Sequence, residues 1–266
     1  MPKKSSIRAE DYNLVSSTRN EKVSTDAIAI IIPCYNEEKR LKRDAFVDEL
    51  SNYSNLTFLF VNDGSKDNTL SVIQKICTVN PERALCFSLE ANKGKAEAVR
   101  QGMLYLLEKD KYDIIGFWDA DLAVPLSEIW DFVEIFKKNS NIKAVIGSRV
   151  HLAGRSIERV HLRHYFGRLF ATVVDLTFDI HVYDTQCGAK LFDSRILAAV
   201  AREPFCSRWI FDVEIIIRIS RLIGTRDWLY EVPVEEWKNI SGTKRSISAY
   251  TQALFDYMSL MMEYRR

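Results

Sequence analysis

Ala27 to Ile32 reads Ala-Ile-Ala-Ile-Ile-Ile, and Leu56 to Val61 reads Leu-Thr-Phe-Leu-Phe-Val. Unalternated apolar runs of this kind, the first closed by Pro33, are what strands buried on both faces of a parallel sheet require. Ala84 to Leu89 reads as a third, short strand, and Ile114 to Trp118 and Ala144 to Ile146 as a fourth and fifth. Helical spacing fills the gaps: a stretch to about Leu50, Leu70 to Thr78, a helix carrying Ala96, Val99, Met103 and Leu106 on one face, and about Leu126 to Lys138. Strand and helix therefore alternate, which predicts an α/β fold with a mainly parallel sheet covered by helices on both faces.

In such a sheet, ligands settle in the crevice beyond the carboxyl ends of the strands. Pro33-Cys34-Tyr35-Asn36-Glu37-Glu38, Asn62-Asp63-Gly64-Ser65 and Asp119-Ala120-Asp121 all fall on that edge. Asp119 and Asp121 end a buried strand and, one residue apart, project the same way. One reading is an ordinary polar turn. The other is a cation site, because a hard ion such as Mg²⁺ uses one or two protein carboxylates and completes its shell with water and phosphate oxygens. Asp63 reads either as a nucleotide-binding residue or as a turn and helix-entry residue. Lys93 and Lys95 start a helix, where the dipole disfavours cations, so they read as phosphate partners or as solvated lysines.

Lysine plus arginine number 37 against 36 acids, so bulk charge argues neither for nucleic acid nor for general membrane attraction. The five cysteines are scattered and odd in number, without metal-site spacing. They read as reduced core thiols of a cytoplasmic protein. Met1 to Asp26 is polar and reads as a mobile arm, neither signal peptide nor anchor. No run approaches the ~20 apolar residues of a spanning helix; the nearest, Leu169 to Phe178, contains Asp175.

The alternation breaks after Gly147-Ser148-Arg149. Arg155 to Arg168 is basic, and Arg208 to Glu214 opens a helix running to about Leu222. Trp228 to Val234 reads as a strand, Trp237 to Arg245 as a basic loop, and the last segment as an amphipathic helix with Ile247, Tyr250, Leu254, Met258 and Met261 at helical spacing. The organisation expected is a terminal arm over 1–26, one domain over 27–245 and a C-terminal helix over 246–266. Phe166 to Phe178 and Ile247 to Met261 suit an interfacial surface for a lipid tail, core packing, or a homodimer contact.

The set Pro33-Cys34-Tyr35-Asn36-Glu37-Glu38, Asn62-Asp63-Gly64-Ser65-x-Asp67-x-Thr69, Asn92-x-Gly94-Lys95 and Asp119-x-Asp121 resembles glycosyltransferase family 2, with its Rossmann-like GT-A fold. Gly147-Ser148-Arg149, Asp184-Thr185-Gln186-Cys187-Gly188-x-Lys190-Leu191-Phe192, Arg208-Trp209-x-Phe211-Asp212-Val213-Glu214 and Ser241-Gly242-x-Lys244 look like the dolichyl- or polyprenyl-phosphate glucosyltransferase branch, near the dolichol-phosphate mannose synthases. The resemblance covers about Ala27 to Arg245. It implies inverting transfer of a hexose, glucose from UDP-glucose, to a polyprenyl or dolichyl phosphate with Mg²⁺ or Mn²⁺. By the same resemblance Pro33, Tyr35, Glu37 and Asp63 line the nucleoside pocket, and Asp119 with Asp121 holds the metal on the diphosphate. Arg149 and Arg163 lie near the acceptor phosphate, and Lys244 closes over the diphosphate. Mannose synthases have a metal-contacting glutamine where this chain has Ala123, and many such transferases carry membrane segments that this sequence does not show.

A phosphate acceptor is already anionic and needs cationic clamps, not a base. A hydroxyl acceptor, as in cell-envelope glycan synthesis, needs a carboxylate to take its proton. Asp212 and Glu214 are the candidates, and the competing reading of Asp212 is a helix N-cap. A sugar nucleotidyltransferase would want a glycine-rich phosphate loop after the first strand, where this chain has Pro-Cys-Tyr-Asn-Glu. A nucleotide-sugar sensor is the non-catalytic alternative, and a separate membrane partner is compatible with either enzyme reading.

Overall fold

A computed structural model describes residues 23–158, 161–225, 227–238 and 247–265, with the side chains of 161–169 and 247–251 outside the description. The apolar runs form the strands β1 (Ile28–Cys34), β2 (Leu56–Asp63), β3 (Ala84–Leu89), β4 (Ile114–Trp118) and β5 (Ala144–Ser148). Between them lie α1 (Arg43–Asn52), α2 (Thr69–Cys77), α3 (Lys95–Leu107) and α4 (Ile129–Lys138), the last entered through a 3₁₀ turn at Leu126–Glu128. A short strand β6 (Ser156–Ile157) and helix α5 (His161–Phe178) lead to β7 (Ala189–Asp193) and α6 (Ser194–Ala201). Then come α7 (Phe211–Ile223), β8 (Leu229–Pro233), β9 (Glu236–Trp237) and α8 (Ile247–Tyr264).

Seven strands make one sheet in the order β3-β2-β1-β4-β7-β5-β8, and β6 pairs with β9 beside it. Neighbours are parallel except at β7, which runs antiparallel to both β4 and β5. That reversal puts the start of β7 at the same edge as the end of β4: Trp118 lies opposite Ala189, and Phe117 opposite Lys190.

One face of the sheet buries Phe46, Phe58, Phe60, Trp118 and Phe132. Phe46 meets Phe58 and Phe60 edge-on at centroid distances of 5.2 and 5.0 Å. Each buried side chain of this size stabilises the fold by about 1.5–3 kcal/mol over its exposed state. The other face packs Val99, Met103, Phe117, Phe192 and Phe211.

Three expectations are adjusted. Val23 is buried in the core and the Thr25 carbonyl accepts from Asn55 Nδ2, so residues 23–26 of the expected arm belong to the body. Residues 1–22 lie outside the described residues. Cys34 and Cys187 are buried free thiols, but Cys86 and Cys206 are exposed because they stand on an edge strand and in a loop. The C-terminal helix α8, expected as a segment beyond the domain, packs onto it: Leu260 and Tyr264 enter a third apolar cluster with Val174, Val213 and Ile217. Among the described residues, no helix is long and apolar enough to cross a membrane.

Candidate active site

The loops after β1 and β2 are knitted together. Asn36, at φ +54°, donates its N–H to Ser65 Oγ and accepts from the N–H of Lys66. The Glu37 N–H donates to Thr69 Oγ1 at 2.7 Å, and the Glu38 carboxylate accepts from Asn68. Tyr35 keeps its ring partly exposed at this edge.

Glu37 takes a 2.5 Å hydrogen bond from Arg40 through Oε1, while Oε2 is buried with no hydrogen-bond partner among the described residues. Burial pushes its carboxyl up to about 7 against the pull of Arg40, and the charges of Asp121 and Asp119 add to the rise.

Asp63, buried at the end of β2, accepts the N–H of Lys93 at 2.7 Å and of Gly94 at 2.9 Å. It fixes the loop that feeds Lys95 into the first position of α3, a role beyond the two weighed from sequence.

β4 ends in a tight turn. The Leu122 N–H donates to the Asp119 carbonyl, Trp118 Nε1 donates to the Val124 carbonyl, and Leu122 takes φ +53°. A left-handed leucine is strained, and such strain persists where surrounding contacts over-determine the backbone. Asp121 Oδ1 accepts the Ala123 N–H at 3.1 Å. Ala123 contributes only backbone here, its carbonyl accepting from Lys238.

Asp119 donates its N–H to the Gly188 carbonyl at 2.9 Å, and its carboxylate lies directly over the Gly188 α-carbon. A methyl group there would overlap the carboxylate and stand 2.6 Å from Oδ1. Lys95 Nζ meets Asp119 Oδ1 at 2.5 Å with its side chain 40% exposed. Burial opposes the Lys95 charge, but Asp119, Asp212 and Asp121 outweigh it and raise its pKa. Burial, and next the charge of Asp119, raise the pKa of Asp121.

Two carboxylates near enough for the charge of Asp119 to act on Asp121, the first over a glycine and already drawing an ammonium, fit a divalent cation. Among the described residues there is no group of three or more His, Cys, Asp or Glu side chains suited to a metal. An ion that completes its shell with water and phosphate oxygens does not need one.

Asp212 is not an N-cap: Ile210 holds that position, and Asp212 lies in the first turn of α7. It is buried, and Oδ1 accepts from Lys190 Nζ at 2.6 Å. Glu214 faces away from solvent, in the packing between α7 and α8. It is fully buried, taking the N–H groups of Cys206 and Ser207, the Arg218 guanidinium and the Tyr264 hydroxyl.

Arg149 forks onto Asp184 at 2.6 and 2.7 Å and lies over the Trp237 ring. Asp184 and Tyr183 donate their own N–H groups to Glu231. The expected acceptor clamp is therefore already a bidentate ion pair. Arg163 falls in the first turn of α5 with its side chain outside the description, and Lys244 lies outside the described residues.

Asp184, Gly188 and Lys190 stand in the sequence only as parts of a motif, with no role of their own. A lysine inside the buried run Ala189-Lys190-Leu191-Phe192 was a signal, since such a charge demands a partner.

A mainly parallel sheet reversed at one strand, with an acid pair and polar loop clusters along one edge, is the GT-A architecture. Residues 29–200 match the sequence model of Glycosyl transferase family 2. A dolichyl-phosphate beta-glucosyltransferase of Trichomonas vaginalis is 30% identical over 251 residues, covering 90% of this chain and 74% of that one. One from Saccharomyces cerevisiae is 31% identical over 240 residues, covering 83% and 70%. Glucosyl-3-phosphoglycerate synthase from Mycobacterium tuberculosis, solved with Mn²⁺, UDP and glucosyl-3-phosphoglycerate, superposes with a TM-score of 0.65 over 97% of this chain and 84% of that one. At 14% identity, that likeness speaks to the fold. The chain belongs to glycosyltransferase family 2, in the branch of the dolichyl-phosphate beta-glucosyltransferases.

Proposed function

We propose that the protein transfers glucose from UDP-glucose to a polyprenyl or dolichyl phosphate with inversion at the anomeric carbon. The observation that carries the donor half is the Asp119/Asp121 pair set beside Lys95 at the ligand edge. Bound there, Mg²⁺ or Mn²⁺ supplies positive charge against the charge growing on the departing diphosphate. Pro33, Tyr35, Glu37 and Asp63 sit on the loops that would receive the nucleoside, and Lys95 stands ready to turn from Asp119 to a phosphate oxygen.

The acceptor half rests on the relatives and on Asp212. A hydroxyl acceptor needs a carboxylate free to take a proton, whereas Asp212 is held by a buried lysine; an anionic phosphate oxygen needs none. A lipid tail would find apolar surface on α5 and α8, where Leu176 and Met262 are 82% and 80% exposed.

The test is transfer of labelled glucose from UDP-glucose with Mg²⁺ or Mn²⁺, with and without a polyprenyl phosphate. Product that forms only when the lipid phosphate is present supports the reading, and transfer only to sugar hydroxyls sinks the acceptor half. Asp121→Asn should lower turnover by about 100-fold or more with the thermal midpoint unchanged; unaltered turnover removes the metal assignment.

A further inference from the structure

The donor edge holds a buried charge that the chemistry above does not use. Lys190 stands in the middle of the sheet, opposite Phe117 of β4 and Ile146 of β5, with no exposed surface. Its ammonium donates to Asp212 Oδ1 at 2.6 Å and to the Cys187 carbonyl. For stability alone, a buried ion pair is often matched or bettered by apolar residues of the same volume. The pair therefore calls for an explanation at the site.

The Phe117 ring supplies the geometry. Lys190 Nζ lies 5.2 Å from its centroid, and Lys95 Nζ lies 5.9 Å from the same centroid. Both lysines thus converge on the residue two positions before Asp119, with the Asp212 carboxylate attracting each. The two differ in freedom: the Lys190 and Asp212 side chains are buried, whereas Lys95 is partly exposed and ion-paired to Asp119.

We propose that Lys190 fixes the Asp212 carboxylate as an anchor that positions Lys95, so that Lys95 stays aimed at the diphosphate once Asp119 turns to the cation. Asp212 is then a positioning residue acting through Lys95, not the acceptor of a substrate proton, and Lys190 is the residue that holds it there. The assignment rests on the donor chemistry proposed above.

A double-mutant cycle tests it, using UDP-glucose, Mn²⁺ and a polyprenyl phosphate. Asp212→Asn should lower kcat about ten-fold and raise the KM for UDP-glucose several-fold, yet change kcat/KM by less than about two-fold once Lys95→Met is present. Losses that multiply instead would show Asp212 acting independently of Lys95 and overturn the proposal. A second variant guards against misfolding. Lys190→Met with Asp212→Asn removes both charges at similar volume, and should keep the thermal midpoint while remaining as slow as Asp212→Asn alone. Recovery of wild-type rates would mark the pair as purely structural and overturn the proposal. Wild-type turnover separates the two readings: its absence overturns the donor chemistry and this inference with it, and its presence with multiplying losses overturns this inference alone.

Discussion

At Glu37, burial and two neighbouring aspartates work against the Arg40 hydrogen bond. An ordinary glutamate titrates near 4.5, and here the group is pushed up to about 7. Between those values the folded protein binds more protons than the unfolded chain, so stability falls as pH rises through that window. In metal-free protein, Glu37→Gln should remove most of that fall, worth about 1–3 kcal/mol between roughly pH 5 and 8, as read from urea midpoints. Gly188 is a steric case: Gly188→Ala should displace the Asp119 carboxylate and lower turnover by about ten-fold or more with the fold retained, as judged by kcat beside circular dichroism. The acid pair and the Pro33 to Glu38 cluster were legible in the sequence because polar residues directly following a buried strand leave few explanations. The partners were not. Asp212 reaches 22 residues back to Lys190, and Arg149 reaches 35 residues on to Asp184, and no local pattern encodes a pairing that only the assembled sheet creates.

Among the elements, α7 is held by charge as well as by its apolar stripe. Arg218 donates to the buried Glu214, to the buried Tyr264 hydroxyl of α8 and to the backbone carbonyls of Val200, Glu203 and Pro204. Arg218→Met should therefore cost about 3–5 kcal/mol by leaving Glu214 uncompensated, measured by urea unfolding, and a loss below about 1 kcal/mol would show that other donors replace it. The same helix pair reaches the site, because Asp256 of α8 accepts the Trp209 N–H at 2.6 Å just before α7 begins. The first five strands were legible within a residue or two as short, mostly apolar runs, four of them without alternation and the other, β3, at the exposed edge. The direction of β7 was not, since a five-residue strand reads the same either way and only its neighbours decide. The two-residue strands β6 and β9 are too short to leave a periodicity.

For the whole molecule, near-neutral charge offers no electrostatic pull toward a membrane, so any approach to a lipid acceptor must use apolar surface. Leu254, Phe255, Met258 and Met262 of α8, with Val173 and Leu176 of α5, are exposed, and Thr177 and Tyr257 join the two helices at 2.6 Å. Leu176→Glu with Met262→Glu should lower turnover on long-chain polyprenyl phosphate in vesicles about five-fold or more, and leave a short-chain soluble phosphate unaffected. Equal losses on both acceptors would count against a tail-binding face. The reversed strand carries a consequence for how the chain acquires its activity. β1, β2 and β3 pair with neighbours close in sequence, Ile28 with Leu56 and Phe58 with Ala84, but the acid pair takes its place only when Ile114 of β4 reaches back to Ile28 and Lys190 of β7 reaches back to Phe117. Closing so long a loop is slow and comes late in folding. The edge that carries Asp119 and Asp121 is thus among the last features to mature, so that under the proposed function a half-folded chain has no means of consuming sugar donor.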